Sequence, residues 1–538
     1  MAIKVSGTTV IDDDRNINNV GIFTSTAFSG SGANFTNIPE PSPKPNTFQA
    51  TASGTLPDGS TVVLNSDGTV STVTGSDNYY VTSNNTRAEG SAVAFDSSNN
   101  KFVIVYRDQN NSNRGTAVVA TVSGSEISFG TPVIFESGGI TYPGITFDST
   151  ANRVVITYNE SAIVGQVSGT SITFGPVNQF GSGSLGYCYP IYDSNSNKTI
   201  VIFRDTANSD FGSAIVGTVT GGATNSISFG SPVVYNSILS QRHSATIDTS
   251  TNRLVIAFLT GDTLVQCIVG EISGTTINFG SIVTVDSDTD CGVTPSVTFD
   301  SNVNRVVIFY GANTSNVTDP IPVYTKVGTV TGGATNSISF GSRSPQIALS
   351  SLESGISRIL NVIFNPNDNT ILLLYPLFDS WNLTFVDIPQ VGNATIGTVT
   401  GGATNTVSIA STSVFASYDN YVYGGISSAI DVSSNKILIT HFDGPPNFTI
   451  GDQFATVYAP TNVDKFIGFS DGSYTDGQTA TIQIAGGIND TQTGLTTASK
   501  YYVKRTGILT TESYINGSSV GSRISAGTAI SSNQIIIG

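Results

Sequence analysis

One aspartate recurs along the chain at steps of 45 to 66 residues, and such carboxylates could act as general acids or bases. The recurring residues are Asp96, Asp148, Asp193, Asp248, Asp300 and Asp431, with Asn365 at the sixth of the seven positions. An acid–base site needs one or two carboxylates in distinct environments, not six equivalent ones. Because Ser, Thr and Asn follow each of them, the pattern predicts carboxylates that bond nearby backbone amides and stabilise tight turns.

A basic residue follows each of these aspartates five positions later. The set is Lys101, Arg153, Lys198, Arg253, Arg305 and Lys436. The sixth copy loses both members together, since Asn365 and Thr370 stand there. We therefore expect modest ion pairs across a hairpin, with a structural role.

A metal site is suggested at Asp286, Asp288 and Asp290, which have the D-x-D-x-D spacing that begins a calcium loop. The helix-flanked loop also needs Gly and a carboxylate where Cys291 and Val297 stand. A solvated acidic turn is the favoured interpretation, and a looser calcium loop remains the alternative. We predict no metal and no cofactor.

Nucleophilic catalysis has little support in the sequence. Only His243 and His441 are available as histidine bases, and no G-x-S-x-G elbow frames a serine. The three cysteines, Cys188, Cys267 and Cys291, lack C-x-x-C spacing, which predicts free thiols. We therefore predict no catalytic residue, although a carboxylate pair brought together from distant segments would still permit glycosidase chemistry.

Aromatic residues between the copies are the better candidates for binding. Tyr187, Tyr189, Trp381, Tyr421 and Tyr423 fall in or near connections between repeats. Exposed rings at such positions can stack on the faces of sugars, so these five form the predicted receptor-binding set. The alternative is ordinary packing of connections onto the ends of strands.

The elements that must position these residues come from a sevenfold repeat. Each copy is an apolar strand ending in Asp, a turn rich in Ser and Asn, and a second apolar strand, as in residues 145–158 (ITFDSTANRVVITY) and 297–310 (VTFDSNVNRVVIFY). Two further apolar segments follow in most copies. A period of this length suits four short strands, so we predict an all-β chain with a seven-bladed β-propeller of four-stranded antiparallel blades.

The ends of the repeat array set the predicted domains. Residues 1–50 form an extended N-terminal arm, 51–460 form the propeller, and 461–538 form a small C-terminal β domain. The seventh copy lacks a clear fourth strand. We expect one of the upstream segments, 61–64 or 69–73, to complete the last blade and close the ring.

Charge and hydropathy exclude several classes of protein. The net charge of −16 argues against nucleic-acid binding, which needs a basic face. The sequence contains no run of about 18 apolar residues, so we predict no membrane-spanning helix. The N-terminus lacks the apolar core of a secretory signal, so we expect synthesis in a cytoplasm and use elsewhere.

Both ends of the chain resemble proteins of tailed bacteriophages, especially marine cyanophages. The resemblance rests on residues 7–19 (GTTVIDDDRNINN), 56–73 (LPDGSTVVLNSDGTVSTV), 466–469 (FIGF), 476–482 (DGQTATI), 501–503 (YYV) and 526–530 (AGTAI). It implies a tail-fibre or related virion structural protein, often a homotrimer, made in the host cytoplasm and attached to other virion proteins through the arm of residues 1–50.

From this we expect a non-enzymatic tail-fibre or spike-like component whose propeller attaches to a host surface glycan or protein. Two alternatives remain open at the level of sequence. One is an architectural capsid or tail decoration protein, and the other is a polysaccharide depolymerase.

Overall fold

The computed structural model describes residues 3–5, 8–11 and 46–538, apart from 66, 75–78, 124–125, 142, 182–184, 223, 262–263, 288–294, 312–320, 334, 345–347, 351–359, 378–389, 401–405, 419–420, 445–451, 459–461, 505–506 and 512–523. The chain forms two compact units, Met1–Thr47 and Phe48–Gly538. In the first unit, β1 (Ile3–Val5) and β2 (Thr8–Ile11) form an antiparallel hairpin. Most of the predicted N-terminal arm lies outside the described residues.

The second unit is all-β and is built from antiparallel sheets, as the sequence predicts. Its upstream strands are β3 (Thr47–Thr51), β4 (Thr61–Leu64) and β5 (Val70–Thr72). In the described residues the helical elements are three 3-10 turns, at Gln109–Asn111, Thr206–Asn208 and Val463–Lys465.

The repeat copies contribute strands that pair side by side. The first copy supplies β6 (Tyr79–Asp96), β7 (Lys101–Asp108), β8 (Arg114–Ser123), β9 (Glu126–Phe129) and β10 (Val133–Gly139). The second supplies β11 (Gly144–Asp148), β12 (Arg153–Tyr158), β13 (Ser161–Ser168), β14 (Ser171–Phe174) and β15 (Asn178–Gln179). The third supplies β16 (Leu185–Asp193), β17 (Lys198–Asp205), β18 (Phe211–Thr220), β19 (Ser226–Phe229) and the start of β20 (Val233–Asp248).

The fourth copy uses the end of β20 with β21 (Arg253–Thr260), β22 (Leu264–Ser273), β23 (Thr276–Phe279) and β24 (Val283–Thr284). The fifth has β25 (Ser296–Asp300), β26 (Arg305–Gly311), β27 (Ile321–Thr331), β28 (Ser337–Phe340) and β29 (Ala348–Ser350). The sixth has β30 (Asn361–Asn365), β31 (Thr370–Leu377), β32 (Gln390–Thr400) and β33 (Thr406–Tyr418). The seventh has β34 (Tyr421–Asp431), β35 (Lys436–Gly444) and β36 (Asp452–Tyr458).

The predicted hairpin between the first and second strands is present in every copy. In the fourth copy Asp248 is paired with Arg253, and the same register recurs in the other six. The residue before the basic position is always asparagine in the left-handed region, with φ between 53° and 56° at Asn100, Asn152, Asn197, Asn252, Asn304, Asn369 and Asn435. Asparagine recurs there because its short polar side chain tolerates that conformation.

The apolar cores lie between neighbouring sheets. Along β12, Val154 packs with Val103 of the preceding copy, whereas the next residue, Val155, packs with Val201 of the following copy. The second strand of this copy is therefore buried on both faces. Burial on both faces explains why these strands read as continuous apolar runs instead of alternating patterns.

The first strands of the copies contact one another in circular order. β6 contacts β11, and the series continues through β16, β20, β25, β30 and β34, which contacts β6 again. Side-chain to backbone hydrogen bonds join some of these neighbours: Val297 N–H donates to Ser244 Oγ (3.1 Å), and Val93 N–H donates to Ser427 Oγ (3.2 Å). Neighbouring copies are thus joined by polar contacts as well as by apolar packing.

The equivalent contact between the second and third copies shows why these residue types occur. The residue that would donate is Pro190, which has no N–H, and the residue that would accept is Gly144, which has no side chain. A Cβ atom at Gly144 would lie 2.5 Å from Pro190 Cδ. The missing donor and the missing acceptor therefore occur together, and the proline ring packs directly on the glycine.

The strand that accompanies the seventh copy differs from the predicted one. β36 pairs with the start of β6, with Phe454 opposite Thr82 and Val457 opposite Tyr79. The predicted segments are used elsewhere, since β4 pairs with β37 (Phe466–Ser470) and with β5. The physical reason is continuity: residues 79–82 belong to the same strand as the first strand of the first copy, so no further connection is needed.

The C-terminal block forms a two-sheet module together with the upstream strands. One sheet has the order β3, β38 (Thr479–Ile484), β37, β4, β5. The other contains β39 (Ile488–Asn489), β43 (Ile535–Ile537), β42 (Ser525–Ala529), β40 (Lys500–Val503) and β41 (Leu509–Thr510). Val62 and Val63 of β4 are both fully buried, in two different apolar cores of this module. The predicted assignment of residues 51–74 to the propeller is therefore corrected.

Candidate binding surface

The end of the sheets that carries the aspartate hairpins, here named the turn end, is fixed by side-chain to backbone hydrogen bonds. Asp248 Oδ1 accepts from the N–H of Ser250 (2.9 Å), from Ser250 Oγ (2.6 Å) and from the N–H of Thr251 (3.1 Å). The other five recurring aspartates accept backbone N–H bonds in the same way, and Asn365 does so in the sixth copy. The predicted turn-stabilising role of these residues is confirmed.

Arg153 and Arg253 form other contacts in place of the predicted ion pairs with these aspartates. Arg253 donates from Nε to Asn336 Oδ1 of the fifth copy (2.7 Å) and from Nη1 to the turn carbonyls of Thr251 (3.0 Å) and Asn252 (3.1 Å). Its ion pair is with Glu271 (Nη2 to Oε1, 3.3 Å). The reason is that the turn donors already occupy the aspartate carboxylate, whereas the turn carbonyls need donors.

Arg153 repeats this arrangement with the third copy. Its Nε donates to Asn225 Oδ1 (2.6 Å), and its Nη1 donates to the carbonyl of Asn152 (2.8 Å). These contacts join neighbouring copies at the turn end, so the basic residues there serve assembly of the fold. The turn end is therefore a poor candidate for ligand binding.

The opposite end, where second strands end and third strands begin, is here named the connection end. Buried tyrosines there donate to carboxylates of the preceding copy: Tyr158 Oη to Glu136 Oε2 (3.1 Å) and Tyr310 Oη to Asp286 Oδ2 (2.6 Å). Burial, with the Glu136 charge adding to it, raises the pKa of Tyr158 well above its usual value. The pairs join the first copy to the second and the fourth copy to the fifth.

A group of four side chains extends the second of these pairs to the surface. Asp286 is buried, and Arg343 Nη1 lies 3.4 Å from its Oδ2. Arg343 also lies over the ring of Tyr324, with Cζ 4.5 Å from the ring centroid, and the Tyr310 and Tyr324 rings are 6.3 Å apart. The Arg343 side chain is 35% exposed. A guanidinium held by a carboxylate and an aromatic ring is thus presented to solvent.

Sequence reasoning missed this group, although comparison of the copies carries a signal. Tyrosine stands at this buried position at 106, 158, 310 and 375, and phenylalanine at 203 and 258. Tyr158 and Tyr310 bond with Glu136 and Asp286 of the preceding copy, whereas Gly181 and Asn236 stand at the corresponding positions before Phe203 and Phe258. Arg343 has no such signal in the sequence.

The predicted receptor-binding residues are placed unevenly. Tyr187 and Tyr189 lie in β16, Tyr421 and Tyr423 lie in β34, and Trp381 lies outside the described residues. Tyr189 is 36% exposed, and its hydroxyl bonds with Ser244 and with the backbone of Ala245 in the next copy.

Withdrawal of the Tyr189 hydroxyl from water raises its pKa. The hydroxyl serves contact between copies, and only the exposed part of the ring is available to a ligand.

The remaining candidates for chemistry are buried or lie outside the described residues. Of the D-x-D-x-D acids, only Asp286 is described, and it bonds with Tyr310 and Arg343. Within the described ranges, no group of three or more His, Cys, Asp or Glu residues is arranged to hold a metal. Burial lowers the pKa of His441 to about 3 and raises that of Cys188 to about 12. Neither group is poised for proton transfer near neutral pH.

Comparisons with known proteins find solved structures of low sequence identity to this chain. No protein-family model matches it, and no curated protein matches it. Similar solved structures include a protein from Lactobacillus plantarum (12% identity, TM-score 0.42, covering 67% of this chain and 95% of the other) and a protein of unknown function from Dyadobacter fermentans (12%, 0.40, 72% and 99%). A third is the intramolecular trans-sialidase from Ruminococcus gnavus in complex with oseltamivir carboxylate (9%, 0.40, 70% and 95%).

For membrane insertion, the part of the chain that the structure describes contains no helix with the length and apolar composition needed to cross a bilayer.

Proposed function

We propose that this chain is a virion structural protein of a tailed bacteriophage, a tail-fibre or spike-like component that binds a host surface through a seven-bladed β-propeller. The circular order of contacts from β6 through β34 and back to β6 supports the propeller. The pairing of β36 with the start of β6 supports closure of the ring, because it gives the seventh copy a strand from the beginning of the array. The resemblance of both ends to phage proteins supports the virion assignment.

We place the recognition surface at the connection end, and the group formed by Arg343, Asp286, Tyr310 and Tyr324 is the observation that carries this choice. The turn end uses its polar groups to hold neighbouring copies together. At the connection end, Arg343 is held in place and keeps part of its guanidinium exposed. Such a fork can donate two parallel hydrogen bonds to a carboxylate or to neighbouring hydroxyls of a host surface polysaccharide.

The proposed function is binding without turnover. The tyrosine-bonded carboxylates of Glu136 and Asp286 serve contacts between copies, and His441 and Cys188 are withdrawn from proton transfer. The protein would act as a homotrimer whose N-terminal arm joins other virion proteins, as the resemblance implies. Light scattering of the purified full chain measures the oligomeric state directly.

The test is incubation of the full chain with candidate host cells and with their extracted surface polysaccharide, measuring both bound protein and released reducing ends. We expect binding without release. Release of reducing ends would make the protein a depolymerase, and binding to neither cells nor polysaccharide would favour an architectural component of the particle.

A set of variants locates the binding surface in the same assay. Arg343→Ala should weaken binding about 10- to 100-fold, since hydrogen bonds to charged groups contribute about 1.5–3 kcal/mol. Arg343→Lys keeps the positive charge but loses the planar guanidinium, so its binding should be weaker than that of the parent protein and stronger than that of Arg343→Ala. Lys101→Ala, at the turn end, is the matched control and should bind like the parent protein. Equal binding by the parent and Arg343→Ala would remove the connection end at Arg343 from the proposal.

The predicted aromatic residues can be tested alongside. Tyr187→Ala and Trp381→Ala should lower adsorption to cells if rings from other connections share the surface. Unchanged adsorption would restrict recognition to the neighbourhood of Arg343.

A further inference from the structure

We infer that the C-terminal two-sheet module contains a second binding site, a neutral cleft that takes an uncharged saccharide. The cleft has a volume of about 450 Å³ and lies between the β4–β5 hairpin and the chain segments around Gln492 and Ile508. This volume falls in the range of about 300–1,000 Å³ typical of small-molecule sites. The inference does not depend on the function proposed for the repeat array.

The rims of the cleft are held by contacts between distant parts of the chain. Thr61 Oγ1 donates to the Gly507 carbonyl (2.9 Å), and Gln492 Nε2 donates to the Gly59 carbonyl (2.8 Å) and to Asn489 Oδ1 (2.8 Å). The cleft is therefore formed before a ligand arrives, which lowers the entropic cost of binding.

Two glycines permit this close approach. Gly507 has φ +81°, and a Cβ atom there would lie 2.7 Å from Thr61 Oγ1. Gly59 has φ +69°, and a Cβ atom there would collide with Thr491 Oγ1. A side chain at either position would push one rim away from the other.

The described residues of the lining are uncharged and present two kinds of surface. Val73, Leu495 and Tyr501 supply buried apolar surface, and Ile508 stands at the rim with 65% of its surface exposed. The hydroxyls of Thr72 and Thr493 line the same cleft and make no hydrogen bond to another described residue. The Tyr501 hydroxyl accepts from the N–H of Thr496 (2.8 Å), which fixes the ring.

This chemistry selects the class of ligand. A charged ligand would be withdrawn from water with no counter-charge among the described lining residues, which is costly. A wholly apolar ligand would cover the two threonine hydroxyls without satisfying them. A neutral sugar ring has hydroxyls at its edge and C–H groups on its faces, so it matches both parts of the lining.

The experiment is calorimetric titration of the full chain with neutral oligosaccharides of glucose, galactose, mannose and N-acetylglucosamine, and with matched oligosaccharides that contain glucuronate or sialate. We expect saturable binding of at least one neutral oligosaccharide. Thr493→Val and Thr72→Val should each weaken it about two- to tenfold, the effect of one lost hydrogen bond. Thr528→Val, on the exposed face of β42, makes the same chemical change outside the cleft and should bind normally.

Three results would overturn the inference: no saturable binding to any neutral oligosaccharide, binding to the charged ones alone, or neutral binding that both cleft variants leave unchanged. Arg343→Ala separates this site from the connection end, because it should leave the neutral-saccharide titration unaltered. A result in which Arg343→Ala abolishes that titration would assign the sugar to the connection end and contradict the cleft.

Discussion

Replacing Arg253 with lysine should lower the free energy of unfolding by about 1–3 kcal/mol, because a buried acceptor then loses its donor. The guanidinium fork serves Asn336 Oδ1 in the next copy and two carbonyls of its own turn, at 2.7 to 3.1 Å. Asn336 is buried. A lysine ammonium is a point donor and cannot reach all three acceptors in one plane.

The sequence of the repeats supports this reasoning and supplies a control. Arg153 and Arg253 precede copies whose turn between the third and fourth strands contains TGGATN, at residues 220–225 and 331–336. Lys198 precedes a copy with a shorter turn, and its Nζ donates to Thr218 Oγ1 of its own sheet (2.8 Å). Lys198→Arg should therefore change stability by no more than about 0.5 kcal/mol.

A double-mutant cycle gives the decisive number. Arg253→Lys, Asn336→Ala and the double variant are compared by urea unfolding followed by far-UV circular dichroism, with midpoints taken at a common slope. We expect a coupling energy of about 0.5–3 kcal/mol between the two residues. Additive effects would refute the argument, because they would mean that the 2.7 Å contact contributes nothing specific to the pair.

Three further predictions concern the fold. Asp248→Ala should cost about 2–4 kcal/mol by leaving turn donors unsatisfied, whereas Asp248→Asn should cost less, since asparagine fills this position in the sixth copy; equal urea midpoints for the two variants would contradict the turn argument. His441, with its pKa lowered to about 3 by burial, should make stability fall by about 1.4 kcal/mol per pH unit as pH drops from 6.5 towards 3, because the unfolded chain takes up the proton first. His441→Phe, the residue type of the third and fourth copies, should flatten the dependence of the unfolding midpoint on pH over that range, and an unchanged slope would assign it to other groups. Gly144→Ala should destabilise by about 1–3 kcal/mol through collision with Pro190, and an unchanged melting temperature would show that the two strands can separate at no cost.

Much of the local structure was predictable because it depends on short-range chemistry. The hairpins, their Asp-stabilised turns and the left-handed asparagines follow from residues within six positions of one another. The partner of the basic residue was not predictable in this way. Asp248 and Arg253 are paired in register, yet the arginine bonds to Asn336, which is 83 residues away.

The predictions of the strand that accompanies the seventh copy and of the start of the repeat domain were wrong for a related reason. Residues 61–64 and 79–82 are both short β segments before the first copy, and local pattern does not distinguish them. Tertiary packing does, since Val62 and Val63 are both buried in the C-terminal module whereas Tyr79–Asp96 runs on as a single strand beside β36.

The amino-acid sequence by itself determined the repeat, the strands and the chemistry of each turn, because hydrophobic periodicity and turn propensity act over a few residues. Only the tertiary structure decided which copies of that chemistry meet. Asp286, Tyr310 and Arg343 come from three separate strands or connections, and the cleft joins residues near 60 with residues near 500. Their proximity depends on how the sheets pack and on which strand pairs with the last strand of the seventh copy, and these are set by the whole chain at once.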